Sequence, residues 1–482
     1  MHSRRSFIAT GAAALAGVTL PQQFAAADPR VVLNDASRLS ATPVARHVRV
    51  TPASLDDLVG RVRVELKDAA AARRPFAVGV ARHSMGGQSL PRDGTALTLA
   101  GGPIELDTAN RTYRASAGLS WAEIIRALDS RGFSPAVMQS NHDFGIGSTF
   151  CVNAHGWPVP YGPFGSTVRA IRMVLADGTL VSCSRTENTE LFRMAMGGYG
   201  LFGVIVELDV DMVPNLLLTP TFERMDPDRF AEAFVRVVTT DKAARMAYGR
   251  LSVTRAGFFD EALLISFRPA ALQPDHLPAA TSSSAMTEVQ REVYRAQIGW
   301  ENAKRLRWYM ESQLAPMLGS GTSWTRNSLM NEPVANLAGT NKRLTDILHE
   351  YFVPPDRFKD FLRACRDVIP KAKAEFLNVT LRYVAADETP VLTFAPTARI
   401  AAVMSFSQDI SAEGEADMLQ LTEALIERIV AIGGAFYLPY RLHARRDQVE
   451  RSYPRVAEFI AAKRRYDPGL TFRNAMWDTY FA

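Results

Sequence analysis

From Thr51 to Pro214 short apolar runs alternate with amphipathic stretches, and the two follow different periods. Behind Ser54, "SLDDLVGRVRVELKDAAAARR" repeats its apolar side chains at helical spacing, with the serine placed to cap the first turn. "PFAVGV" is a short buried strand, and "TALTLA", "PIELD" and "TYRASAG" read as three more. "SWAEIIRALDSRG" opens with Ser120 and Glu123 at capping-box spacing and closes on Gly132, which predicts a helix. "VRAIRMVLADGTLVSCS" is two strands joined at Asp177-Gly178, a hairpin signal. "TENTELFRMAM" is helical, and "GVIVELDVDMVP" is a strand that ends at Pro214.

Past Pro214 the pattern changes. Long helical text such as "EVQREVYRAQIGWENAKRLRWYMESQL" mixes with strands such as "EFLNVTLRYVA" and "ARIAAVMSFS". This predicts an α+β fold of two domains, the first over residues 38–215 and the second over 216–430. A C-terminal segment, 431–482, returns to the first domain. That tail reads as a helix followed by a Pro-Gly turn. At 482 residues the chain is too long for one ordinary core, which agrees with the division.

Composition narrows the class. Hydrophobic residues make up 47% and charged residues 22%, the balance of a folded globular protein. The net charge of +5 is small for this length, and no basic run interleaves with aromatics, so nucleic acid is not an expected partner. Residues 1–27 carry Arg4-Arg5, an apolar run from Phe7 to Leu20 and the small stretch Ala25-Ala26-Ala27. This resembles a twin-arginine export signal, and the run is too short to be a transmembrane segment. The expected location is therefore periplasmic or secreted. Cys151, Cys183 and Cys365 are odd in number and widely spaced, so no disulfide framework is expected. The eight histidines form no ligand-spaced set, and no metal is expected.

The chemistry concentrates in two glycine-rich loops. "GVARHSMGGQS", 79–89, follows a strand, and its successive N–H groups with Ser84 and Ser89 can cradle a pyrophosphate. "SNHDFGIGSTFCVNAHGWPVPYGPFG", 140–165, is too long for a plain turn and too apolar for disorder. A literal G-x-G-x-x-G at Gly198–Gly203 has its helix before and its strand after. That order is the reverse of what a dinucleotide fingerprint needs.

Taken together, "ARHSMGGQ", "GIGSTFCVNAHG", "ADGTLVSCSRTENTELFRMAMGGYGLFGVIVELDV" and "RRYDPGLTFRNAMW" resemble the FAD-linked oxidases of the vanillyl-alcohol-oxidase type. Alditol and aldonolactone oxidases, cytokinin dehydrogenases and decaprenylphosphoryl-ribose oxidases are of that type. The resemblance implies a PCMH-type FAD-binding fold with a substrate domain, and FAD as cofactor. It implies that His83, in its His-Ser pair, is bonded to the flavin 8α-methyl, the alternative being a histidine that only hydrogen-bonds non-covalent FAD. It assigns to the cofactor Gly79, Val80, Ala81, Arg82, Ser84, Gly86, Gly87, Gln88 and Ser89 in the first loop. In the second it assigns Ser140, Gly145, Ile146, Gly147, Ser148, Val152, Asn153 and His155, with Ile205 after the Gly-rich turn of the third block and Tyr437 from the tail. His142 and His155 have an equal alternative as structural loop donors, and Cys151 reads as a small buried hydrophobe. Trp157, Tyr161 and Phe164 either wall the pocket or belong to the core.

On the substrate side the resemblance implies hydride removal from a carbon bearing a hydroxyl, in a small polyol, sugar or lactone. A secondary amine or a lipid-linked sugar is the alternative, and a flavin-free binding protein on the same fold is the non-enzymatic one. Dioxygen or another acceptor is the expected partner. Tyr440, Arg382 and Tyr437 are the candidates for acid–base catalysis, and Asn378 and Arg441 for substrate contact. As strand residues, Asn378, Thr380 and Arg382 share a face. Tyr440 stands where the decaprenylphosphoryl-ribose branch carries a lysine, which removes a cation from that position.

Overall fold

The computed structural model describes residues 31–281, 286–319, 321–334 and 341–482, of which 286–290 by backbone only; the export signal read at 1–27 lies outside the described residues. The α+β class is as expected. Apart from a short ribbon of Val31–Leu33 with Thr42–Val44, the described strands gather into three sheets.

The first sheet is parallel. Thr95–Leu99 lies between Arg46–Val50 and Phe76–Gly79 and is buried along its whole length, as a parallel strand covered on both faces must be. The helix Leu55–Ala71 crosses between its neighbours, and the Ser54 hydroxyl accepts from the Asp57 N–H at 3.2 Å as the cap. The second sheet is antiparallel, in the order Leu180–Ser184, Val168–Val174, Val204–Pro214, Thr112–Ser116, Ile104–Asp107, with Phe133–Pro135 on the far end of the Val204–Pro214 strand. The Asp177-Gly178 hairpin forms with Gly178 at φ 85°, a conformation open to glycine. The capping box at Ser120 is complete and opens the helix Trp121–Asp129.

Strands beyond Pro214 belong to the third, eight-stranded antiparallel sheet. Its order is Trp324–Thr325, Leu217–Met225, Ala262–Pro269, Met246–Leu251, Glu375–Val384, Arg399–Asp409, Leu344–Val353 and Ala435–Phe436. The helices Pro227–Thr240, Phe358–Val368 and Ala412–Ala431 cover one face. On that side Gly249 admits Phe230, whose ring atoms stand 2.1 Å from where a Cβ would be. The other face is left for the cavity described below. The last strand, Ala435–Phe436, still pairs with this sheet at Tyr351 and Phe352, so the chain crosses back only at Tyr437. Phe472 then bridges to Phe76 beside the parallel sheet.

Two readings of the pattern are refined. The 140–165 stretch contains the helix Ile146–Val152 and a 3-10 turn at Phe164–Thr167. Glycines mask the helical period there, and the helix is held by tertiary contacts such as the Trp121 indole donating to the Thr149 hydroxyl at 2.9 Å. The long helical text after residue 286 breaks into Met286–Ala296 and Glu301–Tyr309. A π-turn at Met310–Leu314 and the helix Ala315–Gly319 follow directly, and Gly299 at φ 72° marks the break.

Candidate active site

A cavity of about 880 Å³ lies between the glycine-rich loops and the open face of the third sheet. From the first loop it is lined by Gly79, Val80, Ala81, Arg82, His83, Ser84, Gln88 and Ser89, and from the second by Ser140, Gly145, Gly147, Ser148, Val152 and His155. Ile205, Tyr437, Tyr440, Arg382 and Asn378 complete the expected residues found there. The loops are pressed together through glycine: a Cβ on Gly145 would stand 2.6 Å from Val80, and one on Gly147 2.8 Å from Ala117. At the third block the helix Thr189–Ala195 precedes the glycines and the strand follows, as the sequence order required, and Tyr199, Gly200 and Gly203 reach the cavity.

Five expected residues have other duties. The Gly86 N–H donates to Gln88 Oε1 at 2.9 Å, and a Cβ there would strike the Tyr440 carbonyl at 2.5 Å. The Gly87 N–H donates to Asp35 Oδ2 at 2.8 Å. Ile146 is fully buried in the core. Asn153 caps its helix at φ 51° and accepts from the Gly165 N–H at 2.9 Å. Arg441 turns away from the cavity, donating to Glu415, to Ser40 Oγ at 2.9 Å and to the Met85 carbonyl at 3.1 Å. Of the aromatics, Trp157 walls the cavity and stacks on Tyr248 at 4.5 Å, whereas Phe164 is core. His142 is a structural donor, bound to Asn331 Oδ1 at 2.8 Å. Cys151 reaches the cavity edge, and burial pushes its thiol up to about 12, so it stays protonated.

Two cations on the wall are incompletely partnered. Arg82 has φ 53°, and its buried Nε and Nη2 have no protein partner; burial, then Arg49, lowers it to about 10. A desolvated guanidinium without a counter-ion, beside a run of loop N–H groups, is the complement of a pyrophosphate, so these residues fit FAD. Next to it the His83 ring lies against Phe144 at 4.5 Å, and burial lowers its pKa, leaving a neutral imidazole. The second cation is Arg382, whose Nε is likewise unpartnered while Nη1 donates to the His155 carbonyl at 3.0 Å and Nη2 to Ser140 Oγ at 2.5 Å.

Arg382 belongs to a buried cluster centred on Glu350, a residue the sequence reading missed. His155 Nε2 donates to Glu350 Oε1, and the Tyr440 hydroxyl donates to Glu350 Oε2 at 3.1 Å. Burial alone pushes the Glu350 carboxyl up, but His155, Arg382 and Tyr440 outweigh it and hold it below the ordinary range. Burial keeps His155 neutral, with its Nδ1 unpartnered. It also lifts the Tyr437 and Tyr440 phenols well above theirs. Both tyrosines are therefore neutral donors rather than bases, and Tyr437 donates to the Val152 carbonyl at 2.8 Å. The signal for Glu350 was present: a carboxylate set directly against the apolar run Tyr351-Phe352-Val353 of the strand "LTDILHEYFV".

A second polar group lies deeper on the third sheet. Arg250 and Arg307 both bind Glu311, Arg250 also donates to Thr380 Oγ1 at 2.8 Å, and Arg307 to Asn378 Oδ1 at 3.2 Å. The expected shared face of Asn378, Thr380 and Arg382 is therefore present. Among the described residues no group of three metal-ligating side chains occurs.

Residues 47–184 match the FAD binding domain family. The chain is 32% identical over 139 residues to an alditol oxidase of a Streptomyces species, which covers 28% of this chain and 33% of that one. It is 26% identical over 118 residues to the L-gulonolactone oxidase of Bos taurus (24% and 27%) and 28% over 209 to cytokinin dehydrogenase 4 of Arabidopsis thaliana (40% of each). The matched stretches span about a quarter to a half of the curated relatives' length. Residues 47–184 thus carry an FAD-binding domain, and these relatives support a kinship with the FAD-linked oxidases of the vanillyl-alcohol-oxidase superfamily.

Behind the wall, Glu415 is held by Arg441 and His443; against the opposing effect of burial they lower its carboxyl to about 2. A folded value below the unfolded 4.5 contributes stability above pH 4.5 that is lost as the pH falls toward 2. Glu415→Gln is expected to lower the melting temperature at pH 7, with the difference from wild type closing over that window in a pH series of thermal unfolding.

Proposed function

We propose that the protein is an FAD-dependent oxidoreductase acting on a hydroxyl-bearing carbon of a small polyol, sugar or lactone, with the cofactor tethered through His83. The observation that carries this reading is the buried carboxylate of Glu350, hydrogen-bonded to Tyr440 and within the field of Arg382, on a wall shared with the glycine-rich loops. When bound, FAD supplies the chemistry, taking a hydride from the substrate carbon and passing electrons to dioxygen or another acceptor. The residues supply the proton path. A substrate hydroxyl donates to the Tyr440 oxygen while the phenolic proton moves to Glu350 Oε2, so the substrate loses a proton, Glu350 gains one and Tyr440 ends unchanged. The Arg382 cation favours the developing alkoxide, and His155 keeps the carboxylate aimed. Arg82 and the first-loop N–H groups would hold the pyrophosphate. In this reading the chain is exported by its twin-arginine segment with the cofactor loaded.

A secondary amine is the second reading, supported by the aromatic ladder of Trp157, Tyr248 and Phe267 along the cavity and by the cytokinin dehydrogenases among the relatives. A stopped-flow panel separates the two: alditols or aldonolactones are expected to bleach the flavin absorbance, and bleaching by amines alone overturns the first reading. Glu350→Gln is expected to keep bound flavin but lower kcat by about 10²–10⁴-fold, the usual contribution of a positioned proton acceptor. His83→Ala is expected to release its yellow colour on acid precipitation, where the wild type retains it; colour lost from the wild type as well rules out the tether.

A further inference from the structure

The run Glu301–Tyr309, Met310–Leu314 and Ala315–Gly319 is continuous and roughly 27 Å long at 1.5 Å per residue. Its polarity is inverted for a surface helix, which ordinarily turns apolar side chains inward. Lys304 is buried on Glu301 and Glu375 at 2.7 and 2.8 Å, and Arg307 and Glu311 face the cavity with Arg250. Outward stand Leu306, Tyr309 and Leu318, flanked by Trp300 and Trp324, each between 41% and 69% exposed. Arg305 is exposed beside them and forms no ion pair with another described residue. Trp324 also lines the cavity, with Ala315 and Arg291, so this outer surface runs into the cavity mouth.

We propose that the outer face of residues 300–324 is a docking surface for an anionic lipid bilayer. Tryptophan and tyrosine beside leucine, with an arginine at the rim, is the combination that settles at the headgroup boundary. Arg305, exposed and in no ion pair with another described residue, complements anionic headgroups. A stripe of this length and about 10 Å width offers on the order of 300 Å², well below the roughly 800 Å² per partner that a stable protein interface buries. Shallow insertion of a few side chains needs no more than that. No described helix is long and apolar enough to cross a membrane, so the contact lies on the bilayer surface. Docking brings the cavity mouth to the lipid, whatever the substrate.

The test is vesicle flotation of the flavin-loaded full chain with phosphatidylcholine vesicles, with and without phosphatidylglycerol. The wild type is expected to float with the anionic vesicles. Leu306→Asp with Leu318→Asp is expected to reduce the floated fraction at least about tenfold, with flavin absorbance and turnover of soluble substrate unchanged. Arg305→Glu is expected to weaken flotation only where phosphatidylglycerol is present. A wild type that stays at the bottom, or a double variant that floats equally well, overturns the proposal. So does light scattering that shows a wild-type dimer split by the double variant, which would assign the surface to a second copy.

Discussion

A carboxylate buried among aromatic side chains must find its hydrogen-bond donors and its counter-charge inside the protein, and Glu350 finds them on separate parts of the chain. His155 comes from the second glycine-rich loop, Tyr440 from the C-terminal return and Arg382 from the strand Glu375–Val384, two places along the third sheet. Arg382 reaches on to the His155 carbonyl and to Ser140. The loops and the third sheet are thereby fixed at one point, because removing any partner leaves a desolvated charge whose burial costs several kcal/mol. The same arrangement is what a hydroxyl oxidation needs: a cation, an ionised acceptor and a neutral phenol between acceptor and substrate space.

The C-terminal return keeps that point in register. The Gln88 amide donates to the Leu438 and Tyr440 carbonyls at 2.8 and 3.0 Å, and the Met85 N–H donates to the Pro439 carbonyl at 2.7 Å. Asn474 joins Gln88 to Tyr199 through their carbonyls. Arg441, expected on the substrate, instead ties helix Ala412–Ala431 through Glu415 to the first loop through Met85. Each bond is worth about 1 kcal/mol net, but buried and mutually dependent they fix where Tyr440 and His83 stand.

Elsewhere the chain tolerates what a stability-optimised protein avoids. Arg82 keeps a strained backbone and unpartnered guanidinium nitrogens, and the 301–319 run buries Lys304 while leaving Leu306, Tyr309 and Leu318 exposed. Polar groups left unsatisfied and apolar groups left wet are costs that persist where something else completes them. In the readings proposed above that complement is, in one case, the cofactor's phosphates and, in the other, a lipid surface.

Local signals were legible where neighbours in sequence are neighbours in space. The Ser54 cap, the Ser120 box, the Asp177-Gly178 hairpin and the strand before His83 follow from spacing, since each rests on contacts within a few residues. The glycine loops were legible because only glycine permits such close backbone approach. The helix Ile146–Val152 was not, because its support comes from Trp121, distant in sequence. Nor was the buried carboxylate: Tyr440 and Tyr437 were visible as tyrosines, but burial makes them donors, and Glu350, the proton acceptor in the function proposed above, lies about ninety residues from Tyr440 along the chain. Sequence by itself determined which segments form the glycine-rich loops that line the cavity, because turn chemistry and capping act locally. Only the tertiary structure decided which carboxylate meets them and which side of the 301–319 run faces water, because burial and charge pairing are properties of the folded whole.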